Sequence, residues 1–142
     1  MTPPHVWPGP RRSIRQEAVC RGRPRMIAGC IALLAGEEVD PQLIMALAGP
    51  AATGVLTNVA PWPDYWLRVW GARGLLWEWH ADATAAIVTA LDDEAWRVRE
   101  MAAKVVARHK IDDGLNSVVA AQQDSNARVR SAARRAVIAL TS

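Results

Sequence analysis

The sequence predicts an all-α protein, a short α-solenoid of stacked antiparallel helix hairpins, and three observations predict it. Ala, Val and Leu dominate the second half of the chain, Phe is absent and Tyr occurs once. Helix formers are therefore plentiful while the aromatic and β-branched strand formers are thin. A segment near thirty residues long recurs from Asp64 onward, the mark of repeat architectures. Within each copy, apolar residues return at helical spacing. The 142 residues, 51% of them hydrophobic, suffice for one compact domain and are few for two.

Residues 1–25 are expected to be a disordered basic tail ahead of a repeat domain at 26–142. The tail holds Arg11, Arg12, Arg15, Arg21, Arg23 and Arg25 against Glu17, a net of +5. Its proline content and charge suit disorder, and Met26 is a second candidate start. Subtracted from the overall +3, the tail leaves 26–142 at −2, which weakens a whole-domain nucleic-acid reading. The arginines followed by apolar Met26–Ala35 look superficially like a secretory signal. That run is short and leads straight into Gly36-Glu37-Glu38 without a cleavage pattern. In Ile27-Ala28-Gly29-Cys30 the apolar stretch follows the cysteine instead of preceding it, unlike a lipobox. No eighteen-residue apolar run occurs, so no membrane span is expected. Cys20 and Cys30 form no C-x-x-C, and a cytoplasmic location is expected.

The first helix is expected at 26–35, ending near Gly36. Asp40-Pro41 makes a helix start, an acceptor at the N-cap followed by proline where no amide is missed. That helix runs through Leu43, Ile44 and Leu47 to Gly49-Pro50. Residues 51–59 add a weak helical segment, and Pro61-Trp62-Pro63 enforces a loop. Trp66–Leu91 then aligns with Trp96–Ala121 at a spacing of 30, pairing Trp66 with Trp96, Ala72 with Ala102 and Asp82 with Asp112. The next copy lies 31 on, where Trp96-Arg97-Val98-Arg99 matches Ala127-Arg128-Val129-Arg130. Val129, Ala132, Ala133, Ala136, Val137 and Leu140 share one stripe, as do Val98, Met101, Ala102, Val105 and Val106. Asp64, Asp82, Asp93, Asp112 and Asp124 stand at the helix starts, where carboxylates cap amides and suit the dipole.

Asp124-x-x-x-Arg128-Val129-Arg130-x-Ala132-Ala133 and Asp93-x-x-x-Arg97-Val98-Arg99-x-x-Ala102-Ala103 resemble the HEAT-repeat family, in the short form of bacterial repeat proteins. The similarity covers about 64–142, with 26–60 as a degenerate leading repeat. In the first copy, Arg68-Val69 stands reversed. The resemblance implies a right-handed stack of hairpins that offers a surface to macromolecules. It also implies an Asp–Arg ladder, here Asp93, Arg99, Asp124 and Arg130, with Arg99 and Arg130 paired to repeat-start aspartates, a natural match for forked guanidinium groups.

The expected function is a non-catalytic protein–protein interaction or scaffold module. On a helix from 64 to 79, Trp66, Trp70, Arg73 and Trp77 fall within about 60° of one another. They either close the N-terminal end of the core or form an exposed binding patch. Arg134 and Arg135 are the free cations of the last helix and further candidate binding residues. The last helix lacks a mate, with Ile138 pointing away from its apolar stripe, so self-association through that helix is a second expectation. The alternative is nucleic-acid binding or repair, by similarity to HEAT-like alkylated-base glycosylases. Trp66, Trp70 or Trp77 would then stack on a base, Arg73 would hold phosphate, and Asp64 or Glu78 would carry the chemistry. No catalytic motif, cofactor fingerprint or metal-ligand spacing is present; His5, His80 and His109 are scattered. His109 is expected as a half-buried packing histidine.

Overall fold

The structure is a computed structural model that describes residues 6–57 and 63–142. His5 and the Pro61-Trp62 part of the expected loop lie outside the described residues. The described residues are helical, with no strand among them.

The first correction concerns the expected tail. Pro10–Arg21 forms a helix, α1, and Arg23–Leu34 a second, α2. Gly9 and Gly22 precede them with φ of 97° and 93°, values that glycine adopts without steric cost. Arginine content hid a helical stripe in α1: Ser13, Ile14, Glu17 and Ala18 are buried. The Ser13 hydroxyl donates to the Ala46 carbonyl at 2.7 Å, and Glu17 accepts from Arg21 and Gln42. Three of this helix's five charged residues, Arg11, Arg12 and Arg15, therefore face outward, while Glu17 and Arg21 pair with each other.

Pro41–Ala48 forms α3 as its sequence demands. The Asp40 carboxylate accepts from the Leu43 amide at 3.0 Å and Pro41 occupies the first turn. Arg21 grips the same carboxylate with two bonds of 2.7 Å. That contact is the main reason the Asp40 carboxyl is held down to about 2. A carboxyl depressed in the fold stabilises it above the unfolded value near 3.9 and loses that contribution as pH falls through the folded value. Thermal melts between pH 5 and pH 2 should therefore show a steeper loss of Tm in the native chain than in Arg21→Gln; parallel curves would disprove it.

Ala52–Thr57 forms α4, Tyr65–Trp77 α5, Thr84–Ala90 α6, Trp96–His109 α7, Leu115–Ala121 α8 and Ala127–Thr141 α9. The helices α2, α5, α7 and α9 pack one against the next. On one side α6 lies on α7 and α8 on α9, while α1 and α3 pack together and against α5. The core runs through all of them: Met26, Cys30, Leu33, Leu43, Leu47, Trp70, Leu75, Ile87, Val98, Val105, Val106 and Val118 are at most 2% exposed. Val98 and Val129, the valines of the repeated motif, are both fully buried.

The stride is 31 residues throughout, which corrects the 30-residue alignment of the first two copies. Tyr65, Trp96 and Ala127 open α5, α7 and α9, and Thr84 and Leu115 open α6 and α8. Arg68 therefore matches Arg99 and Arg130, and the reversed Arg68-Val69 was an artefact of register. The identity of Trp66 and Trp96 drew the alignment one residue off. The structural equivalent of Trp96 is Tyr65, and that of Trp66 is Arg97.

Where α5 meets α2 the backbones nearly touch. A Cβ on Gly71 would sit 2.9 Å from the Cys30 carbonyl oxygen and 3.0 Å from Leu33 Cβ, and one on Gly74 would overlap Cys30 Sγ. Backbone cannot yield as a side-chain tip can, so Gly71→Val should destabilise the fold by about 2 kcal/mol despite valine's better helix propensity. Urea titration reads this out; a midpoint at or above that of the native chain would refute the close contact.

Candidate functional site

Two ladders of charged and aromatic residues run across α5, α7 and α9. The first ties successive copies together. Asp93 accepts from the Ala95 amide at 2.9 Å, and from Arg68 Nε at 2.8 Å and Nη2 at 3.1 Å. Asp124 repeats this with the Asn126 amide at 2.9 Å and Arg99 Nε and Nη2 at 2.8 and 3.1 Å. Arg99 Nη1 also donates to the Asp93 carbonyl at 2.8 Å, and Arg130 Nη1 to the Asp124 carbonyl at 2.8 Å. Each aspartate thus serves the arginine of the preceding copy with its carboxylate and that of its own copy with its backbone. Burial pushes the Asp124 carboxyl upward, but the Arg99 hydrogen bonds, the Asn126 amide and both arginine charges outweigh it and hold it below the ordinary range.

This geometry redistributes the roles expected of the acids and arginines. Arg99 reaches Asp124 of the following copy, and Arg130 takes only a carbonyl of Asp124. Arg68, the equivalent of Arg99 at the 31-residue stride, supplies the partner of Asp93. Asp93 and Asp124 cap the turn before the helix; on α9 the N-cap itself is Asn126, which accepts from the Arg128 amide at 2.9 Å. Asp64 stands at the start of α5 with no side-chain cap, its backbone already helical. His80, not Asp82, caps the short turn before α6.

The second ladder is aromatic. Trp70 is 2% exposed and belongs to the core, so it is no surface anchor. Arg73 turns inward and donates to the Leu47 carbonyl at 3.2 Å; burial lowers its pKa. Trp66 and Trp77 remain half-buried, and guanidinium groups lie over them. Arg97 sits 5.1 Å from the Trp66 ring centre and 4.3 Å from that of Trp96, with Arg128 5.4 Å from the latter. At the other end of α5, Arg11 and Arg108 lie 5.2 and 4.6 Å from the Trp77 ring centre. The 31-residue stride generates this pattern: Trp66 meets Arg97 and Trp77 meets Arg108. Trp96, Arg97 and Arg128 link the ladder from α5 to α9, and Glu100 accepts from Arg128 Nε at 2.9 Å with Lys104 at 4.0 Å. Arg11 and Arg108 were not distinguishable as functional candidates without the correct stride and the helix at 10–21. Arg134 and Arg135 are exposed on α9, with Arg135 donating to the Ser131 hydroxyl at 3.0 Å.

His109 is half-buried, stacked on Trp79 with centroids 5.0 Å apart and planes 12° off parallel. Its Nε2 lies 2.9 and 3.1 Å from the Leu75 and Leu76 carbonyls. Two acceptors require Nε2 to carry a hydrogen, so α7 satisfies the last-turn carbonyls of α5. Burial is the main cause of its lowered pKa. Cys30 is sealed between α2 and α5, and burial pushes its thiol up to about 12. Among the described residues no cluster of His, Cys, Asp and Glu has the arrangement to hold a metal ion, and no helix is long and apolar enough to cross a membrane. No family model, no curated protein and no solved structure matches the chain.

Proposed function

We propose that the chain is a non-catalytic protein–protein interaction module built as a short α-solenoid of HEAT-like hairpins. The constant stride, the Asp–Arg joints and the alanine-lined contacts between first helices support the architectural half of this reading. One observation carries the functional half. Trp66, Trp77 and Trp96 stay half-exposed while stacked arginines hold them in fixed orientation, and Trp and Arg are the residue types that concentrate in binding hot spots. A rigid aromatic surface loses little conformational freedom when a partner docks.

The base-excision alternative has less in its favour. Arg73 is committed to Leu47, and Glu78 pairs with Arg23 at 3.3 Å. Asp64 and Glu78 flank opposite ends of α5, about 20 Å apart by helix rise. A pull-down with the intact protein tests the proposal. A protein retained by the native chain and lost with Trp96→Ala, whose far-UV CD stays native, is the expected result. Excision of an alkylated base that disappears in Asp64→Asn would overturn it.

Self-association through α9 is a second element of the proposal. Ile138 on α9 and Val119 on α8 are 64% and 47% exposed, two apolar side chains on helices that pack together, and each offers a contact to a second copy. A sedimentation coefficient that stays monomeric at high micromolar concentration removes that element. A cytoplasmic setting suits the unpaired Cys20 and Cys30.

A further inference from the structure

The geometry points to an acidic segment of a partner protein as the ligand of the face that α7 presents between α5 and α9. The inference rests on the interaction-module reading and names the chemistry of its partner. On α7, residues 97, 101, 104 and 108 lie within about 60° of one another, so Arg97, Lys104 and Arg108 form one row about 16 Å long. Arg128 joins it from α9 through Trp96 and Glu100. Arg135 lies on the same side of α9 by helical spacing, and Arg11 joins from α1 through Trp77. The six cations face one carboxylate, Glu100, which is already bonded to Arg128 and close to Lys104. Asp64 and Glu94, both 91% exposed, lie at one end of the face and pair with Arg68. Six of the chain's 17 Lys and Arg residues are thus gathered here against a single carboxylate, a locally basic face although residues 26–142 are net acidic.

The state of the arginines decides what kind of anion fits. Arg11 and Arg108 make no ion pair among the described residues; each is held by the Trp77 ring. A guanidinium resting on an indole keeps its N–H edges free and fixed in direction, which suits bidentate binding of a carboxylate. Single-stranded nucleic acid is bound by stacking bases on open aromatic faces. Here Arg97 and Arg128 lie over Trp96, and Arg11 and Arg108 over Trp77, so those rings offer no such platform. A long polyanion would also extend beyond the basic row toward the acidic loops, whereas a short acidic segment would contact the row alone.

Fluorescence anisotropy with a labelled oligoglutamate peptide tests this, with unlabelled oligoglutamate and a single-stranded oligonucleotide of matched charge as competitors and a labelled oligolysine peptide as a separate probe that should not bind the face. The native chain should bind the peptide. Arg108→Glu/Arg128→Glu should weaken binding by about tenfold or more. Arg134 is turned about 120° from Arg128 around α9, which takes it out of the expected binding residues, so Arg25→Glu/Arg134→Glu, which changes the net charge equally, should weaken binding by about twofold or less. Both variants are first checked for native far-UV CD, and Arg108→Gln/Arg128→Gln stands in should the reversal misfold, again with weaker binding expected. Equal effects of the on-face and off-face variants, no peptide binding, or tighter binding of the oligonucleotide would overturn the inference. A partner that still depends on Trp96 in the pull-down, with the peptide indifferent to the face, would refute the acidic ligand while leaving the interaction module intact. Loss of that Trp96 dependence would remove the module reading on its own terms.

Discussion

Trp70→Ala should lower the unfolding free energy by about 3–5 kcal/mol, the range for deleting a large buried aromatic ring. Trp70 is 2% exposed and adjoins Trp66, whose ring centre is 6.2 Å away. It sits on the helix that contacts α2, α3 and α7, so the cavity would open at the centre of the molecule, where neighbours cannot collapse to fill it. Trp96→Ala, half-buried at the surface under Arg97 and Arg128, should cost about 1 kcal/mol. Paired guanidinium titrations give both numbers. Equal losses would mean that Trp70 is not the core residue its burial indicates.

The second large effect is expected at the joint between the second and third copies. Arg99→Ala removes two bonds to Asp124 and two to the carbonyls of Asp93 and Glu94. The Arg99 and Asp124 side chains are 18% and 12% exposed, so a partly buried carboxylate loses its hydrogen-bonded counter-charge and keeps only the neighbouring Arg130 charge. A loss of about 3 kcal/mol is expected. Asp124→Leu in the Arg99→Ala background should recover part of it, because the orphaned charge is gone, and only part, because the Asn126 amide loses its acceptor. Lys104→Ala is the comparison: Lys104 is 37% exposed and 4.0 Å from Glu100, and its loss should cost less than about 0.5 kcal/mol. A thermal midpoint for Arg99→Ala no lower than that for Lys104→Ala would show that the ladder contributes nothing.

The helices that the sequence marks most plainly are those with strong periodicity and a cap. Asp40-Pro41 announced α3, and the valine and alanine stripes of α7 and α9 announced which faces are buried. What escaped was governed by geometry that identity does not encode. Matching Trp66 to Trp96 is chemically natural, yet backbone pairing fixes the stride through Arg68, whose match to Arg99 a mismatch of neighbours concealed. Helix α1 escaped because six arginines suggested disorder, although Ser13, Ile14, Glu17 and Ala18 already carried the spacing of a buried face. At the candidate site, Trp66 and Trp77 were legible as unusual and Trp70 looked equivalent to them. Only packing separates them, since helical phase places all three within one narrow sector, yet Trp70 is buried while Trp66 and Trp77 stay half-buried. Arg73 is likewise turned inward, to the Leu47 carbonyl of α3.

The identical joints at Arg68–Asp93 and Arg99–Asp124 have a consequence for how such a chain changes length. Each joint draws its donor from one unit and its acceptor from the next, so the seam is complete whichever unit follows. Duplicating residues 95–125 would recreate the same seam on both sides of the insertion. Growth in whole quanta of 31 residues would preserve every connection, whereas an insertion of a single residue ahead of Asp93 or Asp124 would leave a guanidinium and a carboxylate out of step.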